Sequence, residues 1–360
     1  MNRSRCEARR EVIEFRVMNR LVALTFALTA CSNATLRAPS SASLSANEIC
    51  HDSPALSATR AAMALYEGLL PEGAARLEAA VFTPTRRQAT ASLFFAARDE
   101  HIHFLEQLSQ AHPNPLLAEM IARVKVAQPL LAASARAGAP AEWGARVLLR
   151  ANPQEPDQVL IPGVALLSDR APEALHLILL HELSHAIDPR FYPVPIEERG
   201  SSPWGEAVQC LRSPFSVAAR AGGAECVEAN HAPRLKEFCA SKAAGLRVNP
   251  DFTEVGPYCG CPVPQGSEAF ADWLAAEVLA ATAADEVLVN ALAWPCAAYL
   301  SEQARDAELD PQLLDQVHSA DVHPLTGDRL EKIFFVQPRF RQALGATTET
   351  AAAFYCPVSE

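Results

Sequence analysis

Apolar residues recur at helical spacing from residue 54 to about residue 137, as at Leu69, Leu77 and Val81 and again at Phe94, Phe95, Ile102, Leu105 and Leu108. That rhythm predicts several helices. Prolines punctuate them at Pro71, Pro84 and Pro113-Asn114-Pro115. Two short apolar runs follow, Arg146 to Arg150 and Val159 to Leu167, separated by the turn-prone Asn152-Pro153-Gln154-Glu155-Pro156. They read as strands. The next segment opens on Ser168-Asp169, has Pro172 where a first helical turn belongs, and stays apolar from Glu173 to about Ile187, before Pro189 stops it. A further helix is expected from Ser267 to about Thr282, with more helices to about Leu344 and no internal repeat. The predicted class is α+β, mainly helical.

Charge changes the picture at the front of the chain. The net charge is −11, yet the first thirty residues hold six Arg against three Glu, so the remainder carries −14. An acidic body without a basic stripe argues against nucleic acid as a partner. The basic front end looks like a targeting segment from Met18 onward: Asn19-Arg20, then the apolar run Leu21 to Ala30, far short of the roughly twenty residues that span a bilayer. On this reading Met18 is the real start. The segment ends in Leu28-Thr29-Ala30-Cys31, which resembles the lipobox of bacterial lipoproteins. The resemblance implies lipidation of Cys31, and Ser32 after it implies sorting to the outer membrane. The plainer alternative is an ordinary cleaved signal peptide with a chance cysteine. Both readings export the protein.

Cysteine usage points the same way. Setting aside Cys6 and Cys31 leaves eight: Cys50, Cys210, Cys226, Cys239, Cys259, Cys261, Cys296 and Cys356. An even number in an exported chain suggests up to four disulfides, of connectivity that spacing does not reveal. A cysteine metal site at Cys259-Gly260-Cys261 is the competing reading, without the paired CxxC spacing such sites use. Residues 190–266 combine many prolines with five of those eight cysteines, the composition of a disulfide-stapled insertion.

The candidate chemistry lies in His181-Glu182-Leu183-Ser184-His185. On a helix, residues four apart lie about 40° from each other around the axis, so both imidazoles project from one face and can grip one ion. Glu182 lies about 100° round from His181, beside the ion and not on it. A carboxylate there can take a proton from a water that the metal activates and pass it to a leaving amine, which is amide hydrolysis. The motif sits in an apolar helix, where a histidine pair and a glutamate are costly to bury without a role. A catalytic zinc needs a third protein ligand, and Glu268 of Ser267-Glu268-Ala269-Phe270-Ala271-Asp272 is the candidate. Asp272, one turn later, could accept the free ring N–H of a metal-bound histidine. Asp188 is either another such acceptor or a plain helix-end residue before Pro189. His101 and His103 point about 200° apart on a helix and cannot chelate from one face. With His112, they read as surface or core histidines.

HExxH followed by a helix with E-x-x-x-D resembles the gluzincin metallopeptidases. With His323-Pro324 and Arg329 six residues after the histidine, the chain is similar to the gluzincins related to the CAAX-prenyl protease. That resemblance implies a zincin-like catalytic domain, one Zn2+ on His181, His185 and Glu268, Glu182 as the base, His323 facing the substrate oxyanion and Arg329 supporting it. It covers three short patches between about 160 and 335. Ala186-Ile187-Asp188-Pro189 departs from the membrane members, as does the cysteine-rich stretch of about eighty residues before Glu268. The expected organisation is a leader at 1–30, a flexible tether at 31–53, a helical region at 54–140, the zincin-like domain at 141–345 with insertion 190–266, and a tail at 346–360. The expected function is a zinc endopeptidase of the bacterial cell envelope, acting on peptide or unfolded protein and touching the membrane through a lipid anchor only. Alternatives are a non-catalytic envelope lipoprotein on the same scaffold, or hydrolysis of a small non-peptide substrate. Residues 159–167 are expected to be an edge strand along which substrate could pair.

Overall fold

The computed structural model describes residues 44–51, 53–66, 73, 76–77, 79–80, 82–131, 144–148, 155–161, 163–188, 203–211, 254–255, 262–263, 265–308, 324–346 and 355–358. The leader, Cys31, His323, most of the insertion and Cys226, Cys239, Cys259 and Cys261 lie outside them.

Two of the punctuating prolines mark helix starts. In α3 (Pro84–Ala111), Pro84 occupies the first turn, where a missing N–H costs nothing, and the Thr83 side chain accepts from the Arg86 backbone N–H. In α4 (Pro115–Val126), Asn114 caps Leu116 in the same way. Two helices precede them, α1 (Ala46–Ile49) and α2 (Pro54–Tyr66). The buried positions of α3 are Thr90, Phe94, Ala97, His101, Leu105 and Leu108, steps of three and four that form one stripe.

A small mixed sheet follows, with strands β1 (Gln128–Leu130), β2 (Arg146–Leu148) and β3 (Gln158–Leu160) in the order β1-β3-β2. β3 runs parallel to β1 and antiparallel to β2. The expected edge strand at 159–167 is therefore corrected on two counts. Its strand part is the middle of the sheet, paired on both sides, and residues 163–167 form a buried 3₁₀ turn. Gly163 lies against the Tyr66 ring, where a Cβ would fall 2.9 Å from Cγ, so the turn needs glycine to let α2 approach.

Helix α5 (Pro172–His185) is buried at every residue from Ala174 to His185. A helix apolar on all sides has to be enclosed, and α5 is the axis of the fold. It packs most extensively on α7 (Gln265–Thr282), then on α3, and also on α8 (Asp285–Ala291), α9 (Ala293–Asp306), β2 and β3. Between α5 and α7 lie α6 (Gly205–Leu211) and the antiparallel pair β4 (Glu254–Val255) and β5 (Pro262–Val263). The chain closes with α10 (Thr326–Arg329), a π turn (Leu330–Phe334) and α11 (Pro338–Ala343). The mainly helical α+β class is as expected. No helix among the described residues is long and apolar enough to cross a membrane.

Segments near both ends of the described residues are packed. The tether expected to reach residue 53 is packed from Leu44 onward, with Ala46, Ile49 and Cys50 buried and Cys50 at disulfide distance from Cys296 on α9. Flexible chain cannot bury that much apolar surface, so the residues from Leu44 onward belong to the packed body. The tail is likewise tied down: Cys356 is at disulfide distance from Cys210 on α6, and the Trp273 indole N–H donates to the Cys356 carbonyl at 2.8 Å. Residues 36–360 form one compact unit, with the N-terminal helices part of it. Across that unit Glu100 of α3 accepts from His176 of α5 (2.9 Å) and from the Thr282 hydroxyl at the end of α7 (3.2 Å).

Candidate metal centre

The helical spacing of His181 and His185 has the predicted result. Their Nε2 atoms lie 3.2 Å apart, and the Glu268 Oε2 atom on α7 is 3.2 Å from the first and 3.4 Å from the second. A tetrahedral ion about 2.0–2.1 Å from each donor holds those donors roughly 3.3–3.4 Å apart. The triangle therefore fits one cation, and these three residues form a group that could hold a metal ion. Two imidazole nitrogens and one carboxylate oxygen are a donor set suited to zinc.

The electrostatics of the triangle also call for positive charge. Burial alone would lower the His185 pKa, but Glu268, Asp188 and Glu182 together raise it to about 10. His181 is shifted up too: burial opposes this, while Asp272 and Glu268 drive it. Buried carboxylates that hold protons this firmly on neighbouring imidazoles are carboxylates that a divalent cation would satisfy.

Each histidine is supported from behind. His181 Nδ1 lies 2.8 Å from Asp272 Oδ1, and Asp272 in turn receives Arg329 through Nε (2.5 Å) and a terminal nitrogen (2.8 Å). Burial works against ionisation of Asp272, yet Arg329 and His181 hold its carboxyl down at about 2. His185 Nδ1 lies 3.2 Å from the Ser267 hydroxyl, which hydrogen-bonds Asp188. Asp188 is fully buried and is no mere helix-end residue.

Arg329, which the resemblance assigns a supporting role, reaches Asp272, the carboxylate behind His181. Its guanidinium stacks 5.3 Å from the Trp294 ring, and the same indole meets His181 edge-on at 5.4 Å. Glu182 is buried next to both histidines. Burial pushes its carboxyl above the usual carboxylate range, against the pull of His181 and His185 and a backbone hydrogen bond from Val147 of β2.

Ser267, Trp294 and Val147 are site groups that carry no motif. Only Ser267 had a local signal, its place just before Glu268. His103 and His112 are exposed and His101 is a core residue, as their spacing implies. The Ser184 hydroxyl spends its proton on the Leu180 carbonyl (2.8 Å), so His101 Nε2, 3.2 Å away, must be the donor to it. His101 Nδ1 is buried without a hydrogen-bond partner among the described residues, and burial lowers the His101 pKa from 6.5 to about 3. Below its unfolded pKa, the unfolded chain takes up a proton that the folded chain refuses. The contribution is therefore complete above about pH 6.5 and is lost as pH falls toward 3. Urea unfolding at pH 7 and pH 5 should show the wild type losing about 2 kcal/mol more than His101→Leu. Equal losses would remove the assignment of a neutral core histidine.

The chain matches no family model, no curated protein and no solved structure.

Proposed function

We propose that the chain is a zinc-dependent metallopeptidase of gluzincin type, exported to the bacterial cell envelope and lipid-anchored through Cys31, that cuts peptide or unfolded protein. The convergence of His181, His185 and Glu268 on one cation-sized triangle, with Glu182 beside it, is the observation that carries this reading. Zinc held by these three residues would keep one position for water or substrate, polarising a carbonyl and lowering the pKa of water.

The remaining work belongs to the chain. A buried Glu182 with a raised pKa suits a group that takes a proton from the attacking water and returns it to the leaving amine nitrogen. The Val147 backbone of β2 lowers the Glu182 pKa against the effect of burial, which supports β2 lying beside this carboxyl group. Among the described residues β2 pairs only with β3. The role of receiving an extended substrate by backbone pairing thus passes from residues 159–167 to β2. Asp272 and Arg329 hold His181 with its Nε2 lone pair toward the triangle. The two cysteine pairs at disulfide distance support an oxidising compartment.

The test is metal removal. The purified chain should contain one zinc per molecule by atomic emission and digest a reduced, alkylated protein. Chelation should abolish digestion, and stoichiometric zinc should restore it. Zinc binding without cleavage across a broad panel of unfolded proteins and peptides would defeat the peptidase reading in favour of a binding role.

A further inference from the structure

We propose that Ser267 is a positioning residue for the metal, a hydroxyl relay between His185 and the buried Asp188 that sets which nitrogen of His185 faces the ion. The proposal rests on the metal reading above.

The two histidines are supported differently. His181 reaches a carboxylate directly, whereas His185 Nδ1 is 4.0 Å from the nearer Asp188 oxygen, too far for a hydrogen bond. The Ser267 Oγ atom fills the gap, 3.2 Å from Nδ1 and hydrogen-bonded to Asp188 Oδ2. Ser267 and Asp188 are fully buried, so no water competes for these partners.

The direction of the chain of bonds follows from proton counting. A serine hydroxyl has one proton, and a carboxylate can only accept. Ser267 therefore donates to Asp188, and its oxygen is left as an acceptor toward His185. With a metal in place of the second proton, His185 must then keep its remaining proton on Nδ1, which leaves the lone pair on Nε2, the atom 3.4 Å from Glu268 and 3.2 Å from His181 Nε2. The wrong tautomer would set two lone pairs, on Nδ1 and Oγ, against each other.

The placement is economical in sequence. Ser267 is the neighbour of the ligand Glu268, on the first turns of α7, while Asp188 follows the end of α5. The relay therefore forms only when the two metal-bearing helices are in register. Thr keeps the hydroxyl and Ala removes it.

Zinc affinity of the full chain, its disulfides oxidised, is measured by competition with a chromogenic chelator, and folding is followed by thermal melting with chelator present. Ser267→Ala should bind zinc about 10 to 100-fold more weakly while still melting cooperatively without metal, and Ser267→Thr should stay within about threefold of wild type. Should Ser267→Ala not fold, Asp188→Asn carries the test, with about a tenfold loss expected. Wild-type affinity in Ser267→Ala, or in Asp188→Asn where that variant is the one read, overturns the proposal. So does a Ser267→Thr as weak as Ser267→Ala. A wild-type chain that does not bind zinc overturns the metal reading itself, and the relay with it.

Discussion

Glu182→Gln lowers peptide hydrolysis by about 10² to 10⁴-fold and leaves bound zinc at the wild-type level. The substitution keeps the side chain's shape, and an amide oxygen still accepts the backbone hydrogen bond from Val147. What it removes is a carboxyl group beside the triangle that can carry a proton without also being a donor to the cation. His181, His185 and Glu268 are untouched, so metal content and activity should separate. Loss of zinc together with activity would make Glu182 part of the metal's support and not the base. Activity within a factor of a few of wild type would take it out of the mechanism.

Arg329→Met costs about 3–5 kcal/mol of stability, because it strands a buried charge. Asp272 is fully buried, and Arg329, its doubly bonded partner, is buried too. Removing the guanidinium leaves the carboxylate with His181 alone. It also removes the cation stacked on Trp294, the indole that edges the same histidine. Urea unfolding with chelator present measures the loss. The double variant Arg329→Met with Asp272→Asn should recover part of it, since no ion is then left uncompensated. A single variant within 1 kcal/mol of wild type would mean that the pair is solvated and that Asp272 does not depend on it.

The legible part of this molecule is the part that a helix encodes locally. His181 and His185 share a face because 3.6 residues make a turn, and the same period puts Glu268 and Asp272 on one side of α7. What brings α7 to α5 across the cysteine-rich stretch is tertiary, and only the resemblance of the motifs pointed to it. The three-residue strands were harder. Alternation over so short a span carries little information, and strand order depends on pairing with β1, far back in the chain, so β3 was read as an edge when it is the centre. Ser267 was read only as a helix start because its use depends on where the end of α5 lies. The packed segment from Leu44 to Cys50 looked like tether for a related reason: a four-residue helix shows no periodicity, and its burial comes from α9 and a distant cysteine.

The tie of Glu100 to His176 and Thr282 has a consequence for how this chemistry can be moved between proteins. One carboxylate from the N-terminal helices ties together the two helices that carry the candidate ligands, through His176 and Thr282, and α3 covers the flank of α5 with Phe94, Ala97, His101 and Leu105. A fragment beginning at residue 141 would keep every motif and lose that cover, exposing an apolar helix to water. The candidate site is thus not a portable cassette. Any relative that has it should also bring an equivalent of α3, and a search for kin by motif alone would overlook the helix on which the site leans.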